Sequence, residues 1–383
     1  MRSRLYNNSQ DVYRYCIIIL FSCFAILNSN AQVVNTGIND TAAGKSIGKF
    51  KVSSYLDTYW GTDFQNQVHT TVPYTVSMNT INQPKINLAM IDVRYQGEKY
   101  RFKILPGIGT YMKANYSNEK GIAQYIVEAN AGVLLSKKKK IWLDAGILSS
   151  PYTNESAISK DQLLYTRSFG PEYAPYYLTG FKLSLPIHST INLYLYLING
   201  WQEIKRQGNS LAFGTQVEYR PNDKNLFNWN TYLGNESSPL TPNYRTRFFT
   251  DFYWLYNPNK KMSIALSAYW GSQQRINASG KISADSWGQM NLSMSYVLYK
   301  NWSVSARVER FIDPTLVMIS PITNANGFRT NSFSTCLNWA INKNILWRTE
   351  CRLFNGSNAV YLNQQNLPSN QLTWGLTSIV VQF

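Results

Sequence analysis

Segment after segment of this 383-residue chain alternates apolar and polar side chains with period two, and nothing else in it constrains folding more. In residues 123–135, Tyr125, Val127, Ala129, Ala131, Val133 and Leu135 share one face, and Gln124, Glu128, Asn130 and Gly132 share the other. Residues 100–110 set Phe102, Ile104, Ile108 and Thr110 against Arg101, Lys103, Gly107 and Gly109. Residues 287–298 set Met290, Leu292, Met294, Tyr296 and Leu298 against Gln289, Asn291, Ser293 and Ser295. Residues 345–354 set Trp347 and Leu353 against Arg348, Glu350 and Arg352. Successive side chains of an extended strand point to opposite faces, so each segment predicts a strand between two different solvents. The segments are close to the ~10 residues that a tilted membrane-crossing strand requires.

The connections count the strands. Seven are short and turn-forming: 96–99, 137–140, 186–189, 221–225, 257–261, 299–301 and 342–344. Their Gly, Pro, Asn and Asp residues supply the backbone angles that hairpins need. Eight are longer, near 62–84, 113–122, 149–175, 201–210, 235–244, 271–286, 313–326 and 355–370. A barrel of n strands with both termini at one end has n/2 − 1 short turns and n/2 long loops, and both counts return sixteen. The expected fold is all-β, a transmembrane antiparallel up-and-down barrel over residues 50–383, preceded by a flexible segment, 32–49. Pro106 asks for a bulge or an unusual edge, and Pro186 is a milder anomaly.

Composition agrees. Only 15% of residues are charged and 14% are aromatic, with 27 Tyr and 11 Trp, yet mean hydropathy is negative. A helical membrane bundle needs apolar runs of ~20 residues, and this chain has none of that length. Tyr95, Tyr100, Trp142, Trp254, Tyr256, Tyr299, Trp302, Trp339 and Trp347 sit near strand ends, where an interfacial aromatic girdle would place them. A soluble sandwich would also alternate, but it would not explain that placement or a polar face rich in Gly, Ser, Asn and paired charges.

The termini fit export. Arg2, Arg4 and Arg14 precede an apolar run over 16–27, and Ser29-Asn30-Ala31 offers small residues for cleavage after Ala31, the anatomy of a signal peptide over 1–31. About twelve apolar residues are too few to span a bilayer. At the other end, Thr377, Ile379, Val381 and Phe383 share a face, and the chain stops on an aromatic inside a strand. That ending resembles the closing strand of an outer-membrane barrel, whose last aromatic is read by the barrel-assembly machinery. Of four cysteines, Cys16 and Cys23 leave with the signal. Cys336 and Cys351 are predicted on opposite faces of neighbouring strands, hence unbridged. The net charge is +16, and losing three Arg and one Asp with the signal leaves +14. With no basic helix or nucleic-acid motif, that charge suits an anion-favouring lumen or rims meeting anionic lipid better than nucleic acid.

Several short segments resemble the OmpL-like β-barrel porin family of outer-membrane proteins. They include Ser54-Tyr-Leu-Asp-Thr-Tyr-Trp60, Tyr125-Ile-Val-Glu-Ala-Asn-Ala-Gly132, Trp142-Leu-Asp-Ala-Gly-Ile147, Glu155-Ser-Ala-Ile158 and Thr166-Arg-Ser168. Tyr176-Tyr-Leu-Thr-Gly-Phe-Lys-Leu-Ser184, Asn199-Gly-Trp-Gln202, Phe213-Gly-Thr-Gln216 and Asp251-Phe-Tyr253 belong with them. The likeness spans most of 50–383, none of its motifs is catalytic, and it implies a porin-like barrel in the outer membrane more firmly than any solute.

Three constellations could carry function. The inward face is expected to present Asp92, Arg94, Arg101, Lys103, Glu128, Asp144, Lys182, Glu218, Arg220, Arg245, Arg247, Asp251, Arg307, Glu309, Arg348, Glu350 and Arg352. Basic residues outnumber acidic ones there, so weak anion preference is the sharper reading; cross-strand pairing that braces the wall is the plainer one. The longest loop, 149–175, carries Glu155, Lys160, Arg167 and Glu172, and loops of this length are usually functional or disordered. It resembles a porin constriction loop, with Arg167 and Glu172 setting a transverse field; the alternative is a loop that only caps the outer surface. Lys137–Lys140 could bind phosphate, but a solvated turn facing anionic lipid is the commoner arrangement. Catalysis has little support. His69 falls in a long loop and His188 in a short turn, and neither a nucleophile elbow nor a metal-ligand spacing is present.

The sequence therefore predicts a porin for passive diffusion of small hydrophilic solutes, with no cofactor and no enzyme activity. A plugged structural or surface-interaction barrel without transport is the alternative. Porins of this size often form homotrimers, and nothing in the chain decides between monomer and trimer.

Overall fold

The computed structural model describes residues 45–47, 49–64, 70–208, 210–277 and 279–383. The signal peptide with its cleavage site after Ala31, the first two cysteines and His69 lie outside these residues. Sixteen long strands build the wall: β1 (Phe50–Asp63), β2 (Lys85–Gln96), β3 (Tyr100–Ile108), β4 (Ile126–Ser136), β5 (Ile141–Ser149), β6 (Tyr177–His188), β7 (Ile191–Ile198) and β8 (Ala212–Asn222). The others are β9 (Asn225–Asn235), β10 (Tyr244–Asn259), β11 (Met262–Ile276), β12 (Ile282–Tyr299), β13 (Trp302–Asp313), β14 (Phe328–Ala340), β15 (Ile345–Gly356) and β16 (Gln371–Gln382). Each pairs antiparallel with its neighbours in the chain, and β16 pairs with β1 from Trp374↔Asp63 to Gln382↔Tyr55, which closes the barrel. Phe383 sits in this seam: its N–H donates to the Ser54 carbonyl, and the Ser54 N–H donates back, each at 3.0 Å.

The seven short turns fall at one end of the barrel and the long connections at the other. Four boundaries depart from the period-two reading; in the first, the strand expected to run to Thr110 ends at Ile108 and a helix follows over Thr110–Asn115. Residues 45–47 lie within the segment expected to be irregular, yet they pair with β1 as Lys45↔Val52 to Ile47↔Phe50. The expected loop 271–286 is mostly strand, because the β11–β12 ladder runs on through Gln273↔Asp285 to Ile276↔Ile282. That hairpin stands beyond the apolar belt with polar side chains on both faces, so hydrophobic alternation cannot reveal it; the ladder and an Arg275–Asp285 ion pair at 3.3 Å hold it. The expected strand over 123–135 begins only at Ile126, after a 3-10 turn over Gly121–Tyr125.

That last shift comes from Pro106. Lacking an N–H, it cannot continue the ladder, and the β3–β4 register slips between Leu105 and Pro106. Val127 is thereby turned inward and buried instead of facing out with Ala129, and Tyr125 leaves the strand. Pro186 is accommodated more simply, by a slip at the end of β6. The β1–β2 register also shifts between Asp57 and Thr58, where Asn87 and Leu88 are both buried; along most of the rest of the wall the alternation holds. Ile91, Phe102, Ile104, Phe181, Trp229, Met290, Leu292 and Ile379 are exposed on the outer face. Trp302 stacks on Trp339 at 5.1 Å, with Trp347 edge-on at 6.2 Å, and Trp254 stacks on Tyr256 at 5.2 Å, all near the turn end. Trp142 is not part of this girdle: paired with Ser184 on the inward register, it lies under the Arg101 guanidinium at 4.4 Å. Cys336 faces inward and is buried, Cys351 faces outward, and the two are not bridged.

Among the described residues, the outward faces of the sixteen strands carry two charged side chains, Arg310 and Arg329. Both lie near the loop end. An outward Arg costs ~2–4 kcal/mol at the bilayer midplane but ~0–1 kcal/mol near an interface, so the wall tolerates them there and nowhere lower.

Candidate functional site: the barrel interior

The interior is built from inward wall residues and from long connections that fold into it. Tyr59, Leu148, Leu178, Tyr196, Phe249, Tyr269, Trp287, Phe311, Phe328, Phe354 and Trp374 of the wall pack against Val72, Met78, Ile81, Tyr152, Leu163, Leu164, Tyr165, Phe169, Val317, Ile319 and Tyr361 of the connections. The loop end of the barrel therefore contains an apolar core. This is more closely filled than the sequence led us to expect of a sixteen-stranded wall, whose bare interior is wide enough for an aqueous channel.

The connection over 150–176 goes deepest. It leaves β5 at the loop end, and its Lys160 ammonium donates to the carbonyl of Lys343, in the turn between β14 and β15, at 3.0 Å. It thus traverses the barrel from end to end. Gly170 permits a close approach to the wall, since a Cβ there would lie 2.5 Å from both the Gln289 and Tyr269 side chains.

The wall of β13 and β15 holds this segment through charge-assisted bonds to its backbone. The Arg348 guanidinium donates to the carbonyls of Ser159 at 2.6 Å, Gln162 at 2.8 Å and Leu164 at 3.1 Å. Arg307 donates to the Thr166 carbonyl at 2.7 Å and hydroxyl at 3.0 Å, and Arg352 to the Arg167 carbonyl at 2.9 Å. Carboxylates collect the amides: Glu350 accepts from Thr166 N–H at 2.8 Å, and Glu309, itself bonded to Arg352, from Phe169 N–H at 2.9 Å. A buried irregular segment must satisfy its backbone polar groups somewhere, and here the wall charges do so. All five of these wall side chains are 5% exposed or less.

Within the segment, Glu155 accepts from the Ser168 N–H at 2.7 Å and lies 3.5 Å from Arg307. Arg167 pairs with Glu172 at 3.0 Å and stacks on Tyr176 at 4.1 Å, and Glu172 also accepts from Ser77 N–H at 2.9 Å. Arg167 and Glu172 are both buried, so their charges answer each other instead of facing a passage. Asp251 takes the Thr153 N–H at 3.1 Å. Arg247 bonds Gln273 at 2.8 Å and stacks on Trp201 at 4.8 Å, and Arg245 turns back at the rim onto the Pro242 and Tyr244 carbonyls.

The opposite wall, β2 to β8, is arranged differently. Arg94 pairs with Asp92, Arg101 and Lys182 with Asp144, Lys103 with Glu128, and Arg220 with Glu218, at distances from 2.5 to 3.8 Å. Two of these pairs, Lys103–Glu128 and Arg220–Glu218, border a cavity of about 260 Å³ that Glu155 and Tyr253 also line. The cations are 23–32% exposed and the carboxylates 3–15%, so the cation of each pair is the more exposed partner.

Sequence reasoning missed four inward acids of the strands, Asp57, Asp63, Asp285 and Asp313. Asp57 lies inside a quoted motif, between Tyr55 and Tyr59 on the inward face, and alternation would have placed it. It accepts from Tyr165 at 2.9 Å, Ser159 at 3.1 Å and Asn87 at 2.8 Å. Asp313 caps the amides of Val317, Met318 and Ile319 at 2.7 to 2.9 Å, which pulls that connection inward too.

A closed barrel with an apolar exterior and a charged interior defines a porin-like barrel of the outer-membrane type. The family model "Putative beta-barrel porin-2, OmpL-like" matches residues 49–383. The chain belongs to that family. Similar solved structures include the outer membrane channel DcaP of Acinetobacter baumannii, with TM-score 0.62 and 11% identity over 89% of this chain and 100% of that one. The anion-selective porin from Comamonas acidovorans aligns with TM-score 0.55 and 8% identity over 87% of this chain and 99% of that one. A trimer form of OmpT from Vibrio cholerae aligns with TM-score 0.53 and 9% identity over 87% and 99%. At such identities these likenesses bear on the fold alone. No curated protein matches the chain.

Proposed function

We propose that this barrel passes small hydrophilic solutes by passive diffusion, with a weak preference for anions, along the water-facing wall of β2 to β8. The observation that carries this reading is the unequal exposure of that wall's ion pairs, which turns Arg94, Arg101, Lys103, Lys182 and Arg220 toward the water and holds their carboxylates back. Charges lining a narrow aqueous path bias which ions enter it. The segment over 150–176 acts as the constriction, set by the opposite wall. No cofactor takes part, since a concentration gradient supplies the driving force.

The test is a reversal potential in a KCl gradient across a planar bilayer holding the refolded protein. The expected shift is toward the chloride equilibrium potential, and Lys103→Glu with Arg220→Glu moves it toward potassium. A shift toward potassium in the unaltered protein refutes the anion preference. A second reading, a closed structural or surface-interaction barrel, draws on the apolar core at the loop end; the absence of discrete conductance steps would establish it and end the transport reading.

A further inference from the structure

Arg310 and Arg329 remain unused by the interior. Arg310 stands opposite Asn331 in the β13–β14 ladder, and Arg329 opposite Ile312. The two arginines are therefore diagonal neighbours on the outer face. Neither forms an ion pair among the described residues. The carboxylates at this end of β12 and β13 are committed elsewhere, Asp285 to Arg275 and Asp313 to three inward amides. Asn331 continues the polar row to Asn355 on β15. Arg310, Asn331 and Asn355 of this row line an outer-face groove of about 800 Å³, walled by Trp270, Met290, Leu292, Val308, Phe333 and Leu353. Its floor continues over small residues in register: Ala306 opposite Thr335, and Thr335 opposite Cys351.

We propose that this groove binds one phosphorylated, multiply acylated lipid of the outer leaflet. The phosphate sits on Arg310 and Arg329, and acyl chains run down the apolar groove toward the turn end. Guanidinium forks match phosphate oxygens in pairs, and two adjacent forks with no carboxylate nearby leave that demand unmet by the protein itself. The small side chains of the floor let an acyl chain lie close to the backbone. A second copy of the chain fits poorly. The outward strand faces carry no Asp or Glu among the described residues, so a copy seated there would bury two cations without a counter-charge from its own wall.

Native mass spectrometry of the full refolded protein in detergent tests this, with diphosphoryl lipid A as the probe. The expected result is one retained lipid per barrel, weakened at least about tenfold by Arg310→Gln with Arg329→Gln and less by the two Lys replacements. Fully dephosphorylated lipid A is expected to bind the unaltered protein as weakly as the intact lipid binds the double variant. Heat-modifiable gel mobility confirms that each variant is folded, and the single variants serve if the double variant is not. Equal retention by unaltered and folded variant protein overturns the proposal. So does equal binding of the dephosphorylated lipid, or inorganic phosphate bound as tightly as the lipid, which would make this a free-anion site. A fall in oligomeric mass on substitution, with no lipid lost, assigns the face to a second copy and overturns it as well.

Discussion

Arg348 and Glu155 show how much single side chains decide here. Arg348 makes three bonds to carbonyls of one buried segment, and truncating it strands those acceptors away from water at about 1–3 kcal/mol each. Arg348→Ala is therefore expected to loosen the segment by about 3 kcal/mol or more, read as new protease cleavage between 153 and 173 and a larger single-channel conductance. Unchanged cleavage would mean that Arg307 and Arg352 suffice. Arg348→Lys, with a point charge in place of a fork, should fall between. Glu155 makes the docked segment sensitive to pH. Burial holds its carboxyl above the ordinary range, against the pull of Arg307 and Ser168. A carboxyl raised in the docked state favours docking most below its free-loop pKa, and that contribution is lost as pH rises through the raised value. Conductance should thus fall on acidification from neutral, and Glu155→Gln should flatten the response. An identical pH response in the variant would remove Glu155 as its source. The side chains themselves were legible from alternation, but their partners were not, because a carbonyl acceptor in a loop leaves no mark in composition.

Among elements, the segment over 150–176 behaves unlike the other connections. The β5–β6 ladder that flanks it is complete up to Ser149↔Tyr177, so the hairpin does not need the excursion to close. Replacing 153–173 by a short Gly-Ser linker is expected to leave a folded barrel, since wall strands hold one another by their ladders, and to raise conductance several-fold. Conductance unchanged in a folded deletion variant would show that other connections, with Asp313 capping one of them, set the restriction. The strands were readable because each crosses one apolar belt, whose demand repeats every second residue. Readability failed where that demand stops. The β11–β12 extension stands above the belt and kept its ladder without an apolar face, and Pro106 moved Val127 inward through backbone geometry that hydrophobicity does not encode.

At the scale of the whole molecule, the barrel has a loaded wall and a wet one. On β13 and β15 the interior charges are bonded to an inserted segment; on β2 to β8 they pair with one another, within a strand or across strands, and the cation of each pair is the more exposed partner. The sequence counted these charges and their sign but could not divide them, since Arg101 and Arg348 occupy equivalent inward positions in equivalent strands. The same holds for Trp142, which has the local signature of a girdle residue and instead lies beneath Arg101. By itself the sequence determined the strand number, the turn end, the two faces and the unbridged cysteines, because all of these follow from period two and from the angles that Gly, Pro and Asn allow. Only the tertiary structure decided that the long connection threads the barrel to Lys343, that Arg307, Arg348 and Arg352 hold it, and that Arg310 and Arg329 meet on the outside. Closing the sheet brings residues nearly two hundred positions apart to bonding distance, and no local periodicity carries that information.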